Sequence, residues 1–341
     1  MQRISFENTY PSTENYWRSI ILFGNNVASY KFALAKSLLE FAQAGKTFVS
    51  LEELAIPYSH HLAEHLKISD KQTTSSSSQF LEACRKFNAG TVSKQQMLDA
   101  TVKLGFNNVI DAFHNVNKAE IPTRFYIDER SQSRKGISLT DELLSLIKHY
   151  QYQNLPHEVE ARWRLVETAW QLNISRNLIV VSYDEQDGLL FMQNRSHRRT
   201  TVTSCRNALN GYQKGKCFYC FADISVDERS PNLAHVDHFF PHTLKQFEFI
   251  GIVDGVWNLV LACQSCNLRK SSCVPHLNYL SRLHTRNEFL ISSHHPLRET
   301  LISQTGKAEA DRARFLKSGD HEALSRLIHR WQADFEYAPA F

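Results

Sequence analysis

Two C-x2-C pairs, Cys217/Cys220 and Cys263/Cys266, constrain what this chain can fold into more than any other feature. Each pair offers two sulfurs from one tight turn. Two pairs complete the tetrahedral thiolate shell that a structural zinc ion prefers. A small hairpin-and-helix unit has little core of its own, so the metal is expected to contribute most of its folding free energy. The pairs are separated by residues 221–262, 42 in all, far beyond the roughly 15–20 of a simple zinc ribbon. That insertion must hold something, and it holds Asp237-His238-x-x-Pro241 and Asn258, with Asn267 just past the second pair.

The order and spacing of Cys217-x2-Cys220, Val236-Asp237-His238-Phe239-Phe240-Pro241, Asn258-Leu259 and Cys263-x2-Cys266-Asn267-Leu268-Arg269-Lys270 resemble the HNH nucleases of the ββα-metal (His-Me finger) superfamily, in their zinc-stabilised form. The third letter is Asn here. The resemblance covers residues 217–270 and implies an α+β chain, a mostly helical scaffold carrying a zinc-stabilised ββα-metal domain. It implies an endonuclease that depends on a divalent ion, favours DNA over RNA, and leaves a 5′-phosphate and a 3′-hydroxyl. In that reading His238 is the base, since a histidine can deprotonate water near neutral pH. Magnesium takes hard oxygen ligands and keeps several waters, so Asp237 and Asn267 suffice to hold it. Asn258 fixes the loop bearing the histidine, and Lys270 faces the phosphate with Arg269 as a lesser helper. Neighbouring strand residues point to opposite faces, so this arrangement requires Asp237 and His238 at a strand end or bend. Phe239-Phe240-Pro241 begins such a bend, and the helix is expected to start near Cys263. His235 and His242 flank the motif as accessory groups. The alternatives are a non-catalytic, zinc-dependent nucleic-acid-binding protein and a subunit that cuts only with an activating protein partner.

The remaining cysteines, Cys84, Cys205 and Cys273, do not make a disulfide framework, so a reducing compartment is expected. No apolar run approaches the roughly 18 residues of a membrane span, and the opening lacks a signal-peptide pattern, so the expected location is cytoplasmic with no membrane partner. A net charge of +4 permits nucleic-acid binding without demonstrating it. Its distribution says more. No acidic residue lies between Asp187 and Asp223, yet Arg195, Arg198, Arg199, Arg206, Lys214 and Lys216 do, which points to a surface that contacts phosphates.

Around this centre, residues 1–175 read as a helical region of unknown role. Tyr30, Ala33, Leu34, Leu38 and Phe41 follow helical spacing, Gly45 ends that helix, and Ser50 to Glu53 forms a capping box. Ser93 with Gln96 offers another N-cap, and Val159, Trp163, Val166 and Trp170 share one helix face. Tyr16, Trp17 and Tyr30 are expected in the core. The opening, with Tyr16-Trp17, Gly24-Asn25-Asn26 and Tyr30-Lys31-Phe32-Ala33-Leu34, resembles bacterial HNH proteins encoded near anti-phage systems, which implies a defence role and carries no residues across. Residues 176–275 hold a hairpin around Asp187-Gly188, the basic segment, a helix over 204–212 and the cysteine unit. Residues 276–341 are expected as helices over 276–289, 296–304, 308–317 and 321–335, packing on the rest.

Overall fold

The computed structural model describes residues 12–23, 28–74, 77–116, 119–171, 181–184, 186–187, 189–193, 199–247, 249, 253–292 and 297–341. The chain is α+β and divides into two units, Met1–Asn173 and Ile174–Phe341. The C-terminal region 276–341 falls inside the second unit. No helix of the described residues is long and apolar enough to cross a membrane.

In the first unit the helices α1 (Thr13–Phe23), α2 (Tyr30–Gln43), α3 (Leu51–Ile68), α4 (Gln79–Asn88) and α5 (Lys94–Ala100) precede a short α6 (Val109–Ala112), α7 (Asp141–Leu146) and α8 (Leu155–Gln171). The signals at their ends are local and chemical. The Ser50 hydroxyl accepts from Glu53 N at 3.1 Å while the Glu53 carboxylate accepts from Ser50 N at 3.1 Å, so two orphan donors at the start of α3 are satisfied reciprocally. Ser93 and Gln96 repeat the device on α5. Strands β1 (Phe48–Ser50), β4 (Tyr126–Asp128) and β5 (Gly136–Leu139) form a sheet in the order β1-β5-β4, and β2 (Asn115–Val116) pairs with β3 (Ala119–Glu120). Gly136 is needed where β5 crosses β1, because a Cβ there would lie 2.3 Å from the Val49 carbonyl oxygen. The α8 face bearing Val159, Trp163, Val166 and Trp170 is buried. Trp17 is also buried, with its ring edge-on to Phe125 at 5.1 Å, and Tyr30 packs on Tyr58 and Phe80. Of the three aromatics expected in the core, Trp17 is fully buried, while Tyr16 and Tyr30 are half-buried.

The second unit opens with β6 (Ser182–Asp184), β7 (Leu189–Gln193) and β8 (Arg199–Ser204), an antiparallel sheet in that order, followed by α9 (Cys205–Gln213). The hairpin around residues 187–188 was expected; its third strand was not. Next comes an antiparallel pair, β9 (His235–His238) on β10 (Leu259–Ala262), with Asp237 opposite Val260 and His238 opposite Leu259. Helix α10 (Gln264–Lys270) follows directly, with Cys263 as its N-cap. All four residues of β10 are buried, so neither face of this strand meets solvent. Its outer edge is closed by a side chain: the Gln213 amide accepts from Leu261 N at 2.8 Å and donates to Leu261 O at 2.8 Å. An unpaired strand edge is thereby satisfied without another strand.

The tail departs from its expected run of helices. Helices α11 (Leu277–Ser292), α12 (Arg298–Thr305) and α13 (Glu309–Leu327) form, but α13 runs through the break expected after 317 and stops at Leu327, so the separate helix expected over 321–335 does not form. Ile328 turns to a positive φ of 66°, and β12 (Arg330–Trp331) pairs in parallel with β11 (Val274–Pro275). Trp331 packs edge-on against Tyr219 at 5.1 Å, and Tyr337 N donates to Cys220 O at 2.8 Å. Packing on the cysteine unit outweighs the helical propensity of this stretch. Two arginines of α11, Arg282 and Arg286, point inward. Arg282 donates to Phe218 O and Tyr219 O. Fully buried Arg286 donates to Leu259 O at 3.0 Å and Trp257 O at 3.0 Å. Burial lowers its pKa to about 10.

Candidate functional site

The four sulfurs of Cys217, Cys220, Cys263 and Cys266 lie within 4.8 Å of one another. Phe221 takes a left-handed φ of 58° after the first pair, while the second pair straddles the junction of β10 and α10. A tetrahedral zinc with Zn–S bonds of about 2.3 Å places its sulfurs about 3.8 Å apart, and Cys220 Sγ to Cys263 Sγ is 3.8 Å. The donor set and its spacing therefore fit a structural metal such as zinc. Without a cation four such thiols cannot ionise together: burial pushes the Cys217 thiol up, while hydrogen bonding with Cys217 holds Cys263 down.

His238 ends β9, and the chain bends at Phe239-Phe240 immediately after it. Strand alternation sends Asp237 and His238 to different partners. Both Asp237 oxygens are engaged: Oδ2 accepts from the buried Tyr219 hydroxyl at 2.6 Å, and Oδ1 accepts from Lys270 Nζ at 3.0 Å. Lys270 also donates to the His238 carbonyl at 2.7 Å. On the other side, His238 Nε2 meets Asp254 Oδ1 at 3.0 Å, and that oxygen also lies 2.7 Å from Lys245 Nζ. The Tyr183 and His242 rings each sit 6.0 Å from the imidazole. Asn258, fully buried, pins the bend. Its Oδ1 accepts from Phe240 N at 2.8 Å, and its Nδ2 donates to Phe240 O at 2.9 Å and Val253 O at 2.9 Å. The resemblance implied a loop-fixing role for Asn258; what the geometry gives is these three bonds to the backbone of Phe240 and Val253. His235 is half-buried on β9, and His242 is exposed.

Several expected roles change. Lys270 does not face a phosphate: its side chain has no exposed surface, because α10 turns it inward onto Asp237. The expected magnesium ligands do not fit in this arrangement. Asp237 is already neutralised by a buried ammonium, and Asn267, half-buried on α10, makes no side-chain hydrogen bond to any described residue. Among the described residues the four cysteines are the only group of three or more His, Cys, Asp or Glu side chains near enough to share an ion.

The acid-free stretch is not one cationic surface. Lys214 is buried and caps α9 in a left-handed conformation, φ 55°. Lys216 pairs with Asp223, which the chain folds back to place opposite it. Arg206 is half-buried with a buried Nε that has no partner among the described residues. Arg199 begins β8, and Arg195 and Arg198 lie outside the described residues. Exposed Arg269 pairs with Asp334 from the tail. Sequence reasoning missed Asp254, Lys245, Tyr219 and Gln213. Only Asp254 carried any signal, as an Asp-Gly turn four residues ahead of Asn258. No protein-family model matches the chain, and no curated protein or solved structure matches it either.

Proposed function

We propose that the second unit is an HNH-type endonuclease, with a zinc ion on Cys217, Cys220, Cys263 and Cys266 holding a ββα element and His238 acting as general base on a nucleic acid, DNA in preference to RNA. The observation that supports this reading is the placement of His238: it ends the first strand of an antiparallel pair followed by a helix, on a bend fixed by three hydrogen bonds from one buried asparagine. The imidazole takes a proton from water, and the water oxygen forms a bond to phosphorus. The bond from phosphorus to the 3′-oxygen breaks, and that oxygen acquires a proton from solvent. The products are a 5′-phosphate and a 3′-hydroxyl. Zinc, when bound, ties the two thiol turns together and so fixes the strand-to-helix junction. The resemblance also implies a catalytic magnesium or other divalent ion, but Asp237 is committed to Lys270 and Tyr219, so no step here passes through it.

That commitment favours the second reading, a zinc-dependent nucleic-acid-binding protein without catalysis. Incubating the zinc-loaded chain with supercoiled plasmid and magnesium separates the two. The nuclease reading expects nicked or linear plasmid from wild type and intact plasmid with His238→Ala. A shifted but uncut plasmid from wild type supports the binder.

A further inference from the structure

We infer that Asp254 is the positioning residue for His238, and that Asn258 assembles the pair. The inference rests on the nuclease reading and extends it to a carboxylate outside the motif.

Three observations converge. First, His238 Nε2 and Asp254 Oδ1 are 3.0 Å apart, with the imidazole side chain 8% exposed and the carboxylate side chain 28% exposed. An ionised carboxylate only accepts, so this contact sets Nε2 as the protonated nitrogen. A neutral imidazole that donates from Nε2 carries its basic lone pair on Nδ1. The contact therefore selects which atom receives the proton from water. Second, the Asn258 amide nitrogen donates to Phe240 O and to Val253 O, both at 2.9 Å. Phe240 lies two residues after His238, and Val253 is next to Asp254. One buried side chain thus sets the register of the two loops that carry imidazole and carboxylate. Third, the segment holding Asn258 is itself clamped from α11, where Arg286 and Asn287 both donate to Trp257 O. The pair is built on fixed backbone rather than on a loose surface turn. Lys245 Nζ lies 2.7 Å from the same Asp254 oxygen, a second contact that helps hold that carboxylate in place.

The role is one of orientation. Asp254 touches no reacting atom in this scheme; it fixes the ring angle and the tautomer, and its charge favours the imidazolium that forms after proton transfer.

The test uses the full zinc-loaded chain, a short DNA duplex and magnesium, with kcat and KM measured separately and the His238 ring followed by 15N NMR. The expected result is an Nε2–H tautomer in the wild type that is lost in Asp254→Asn, with kcat lowered about 100-fold, the lower end of what general-base catalysis supplies, and KM unchanged. Asp254→Glu should recover part of kcat, because it restores a carboxylate near Nε2. If His238→Ala abolishes cleavage while Asp254→Asn stays within about twofold of wild type, this inference falls and the nuclease reading stands. If His238→Ala cleaves like wild type, both fall. Should Asp254→Asn fail to fold, the wild-type spectrum still decides: a proton on Nδ1 instead of Nε2 overturns the assignment.

Discussion

Replacing Asp237 by alanine tests whether this carboxylate is structural. Lys270 Nζ is completely buried, and its only carboxylate partner among the described residues is Asp237, at 3.0 Å. Asp237→Ala leaves that ammonium with the His238 carbonyl alone and strips the acceptor from the buried Tyr219 hydroxyl. Removing one member of a buried ion pair costs about 3–5 kcal/mol, because the other charge stays behind uncompensated. Against a typical domain stability of about 5–15 kcal/mol, that is a large share, equivalent to a fall of roughly 6–20 °C in Tm for a unit of this size. Urea unfolding of the zinc-loaded chain, followed by the fluorescence of buried Trp257, measures it. The double variant Asp237→Asn/Lys270→Met should recover much of the loss, since the asparagine oxygen still accepts from Tyr219 and no buried charge remains. Millimolar magnesium should leave the wild-type midpoint unchanged when no nucleic acid is present. A single-variant loss below about 1 kcal/mol, or a magnesium stabilisation that Asp237→Ala abolishes, would refute the reasoning and return Asp237 to the role of metal ligand.

Stripping zinc with a chelator, or Cys217→Ser, should unfold the second unit rather than merely slow a reaction; metal analysis finding no zinc in well-folded protein would contradict this. His114 gives a pH signature in the first unit: it accepts from Phe125 N at 2.9 Å, and burial, with the Arg124 and Lys31 cations, lowers its pKa to about 4. The folded state therefore binds fewer protons than the unfolded one between about pH 6.5 and 4, so stability is full above that window and falls through it by about 3 kcal/mol; His114→Gln should flatten that portion of the curve. If Arg195, Arg198 and Arg199 touch phosphates, replacing all three by alanine should flatten the salt dependence of DNA affinity by up to about 2.7 in log-log slope; an unchanged slope would remove them from the interface.

What the sequence disclosed is what short-range chemistry determines. The two C-x2-C turns, the capping boxes at Ser50 and Ser93, and the apolar face of α8 are set within a few residues, and the structure places them where that spacing implied. The role of Asn258 came from the motif resemblance. Lys270, Asp254 and Gln213 were opaque because their partners are far along the chain. Lys270 becomes a core cation only when α10 lies against β9, 33 residues from Asp237. The pairing of Lys216 with Asp223 shows the same limit at close range: an acid-free stretch in sequence does not remain acid-free once the chain turns back. The tail failed for a related reason, since Trp331 gains more by packing beside Tyr219 and Tyr279 than by extending α13.

The central claim is that His238 activates water on a zinc-held ββα element. Single-turnover cleavage of an end-labelled duplex by wild type and His238→Ala, with binding measured on the same samples by anisotropy, tests it most directly. The account predicts a rate loss of at least about 100-fold with affinity nearly unchanged, because the substitution removes a base and no phosphate-binding cation. Equal rates for the two proteins, or bound and intact duplex with both, would contradict it.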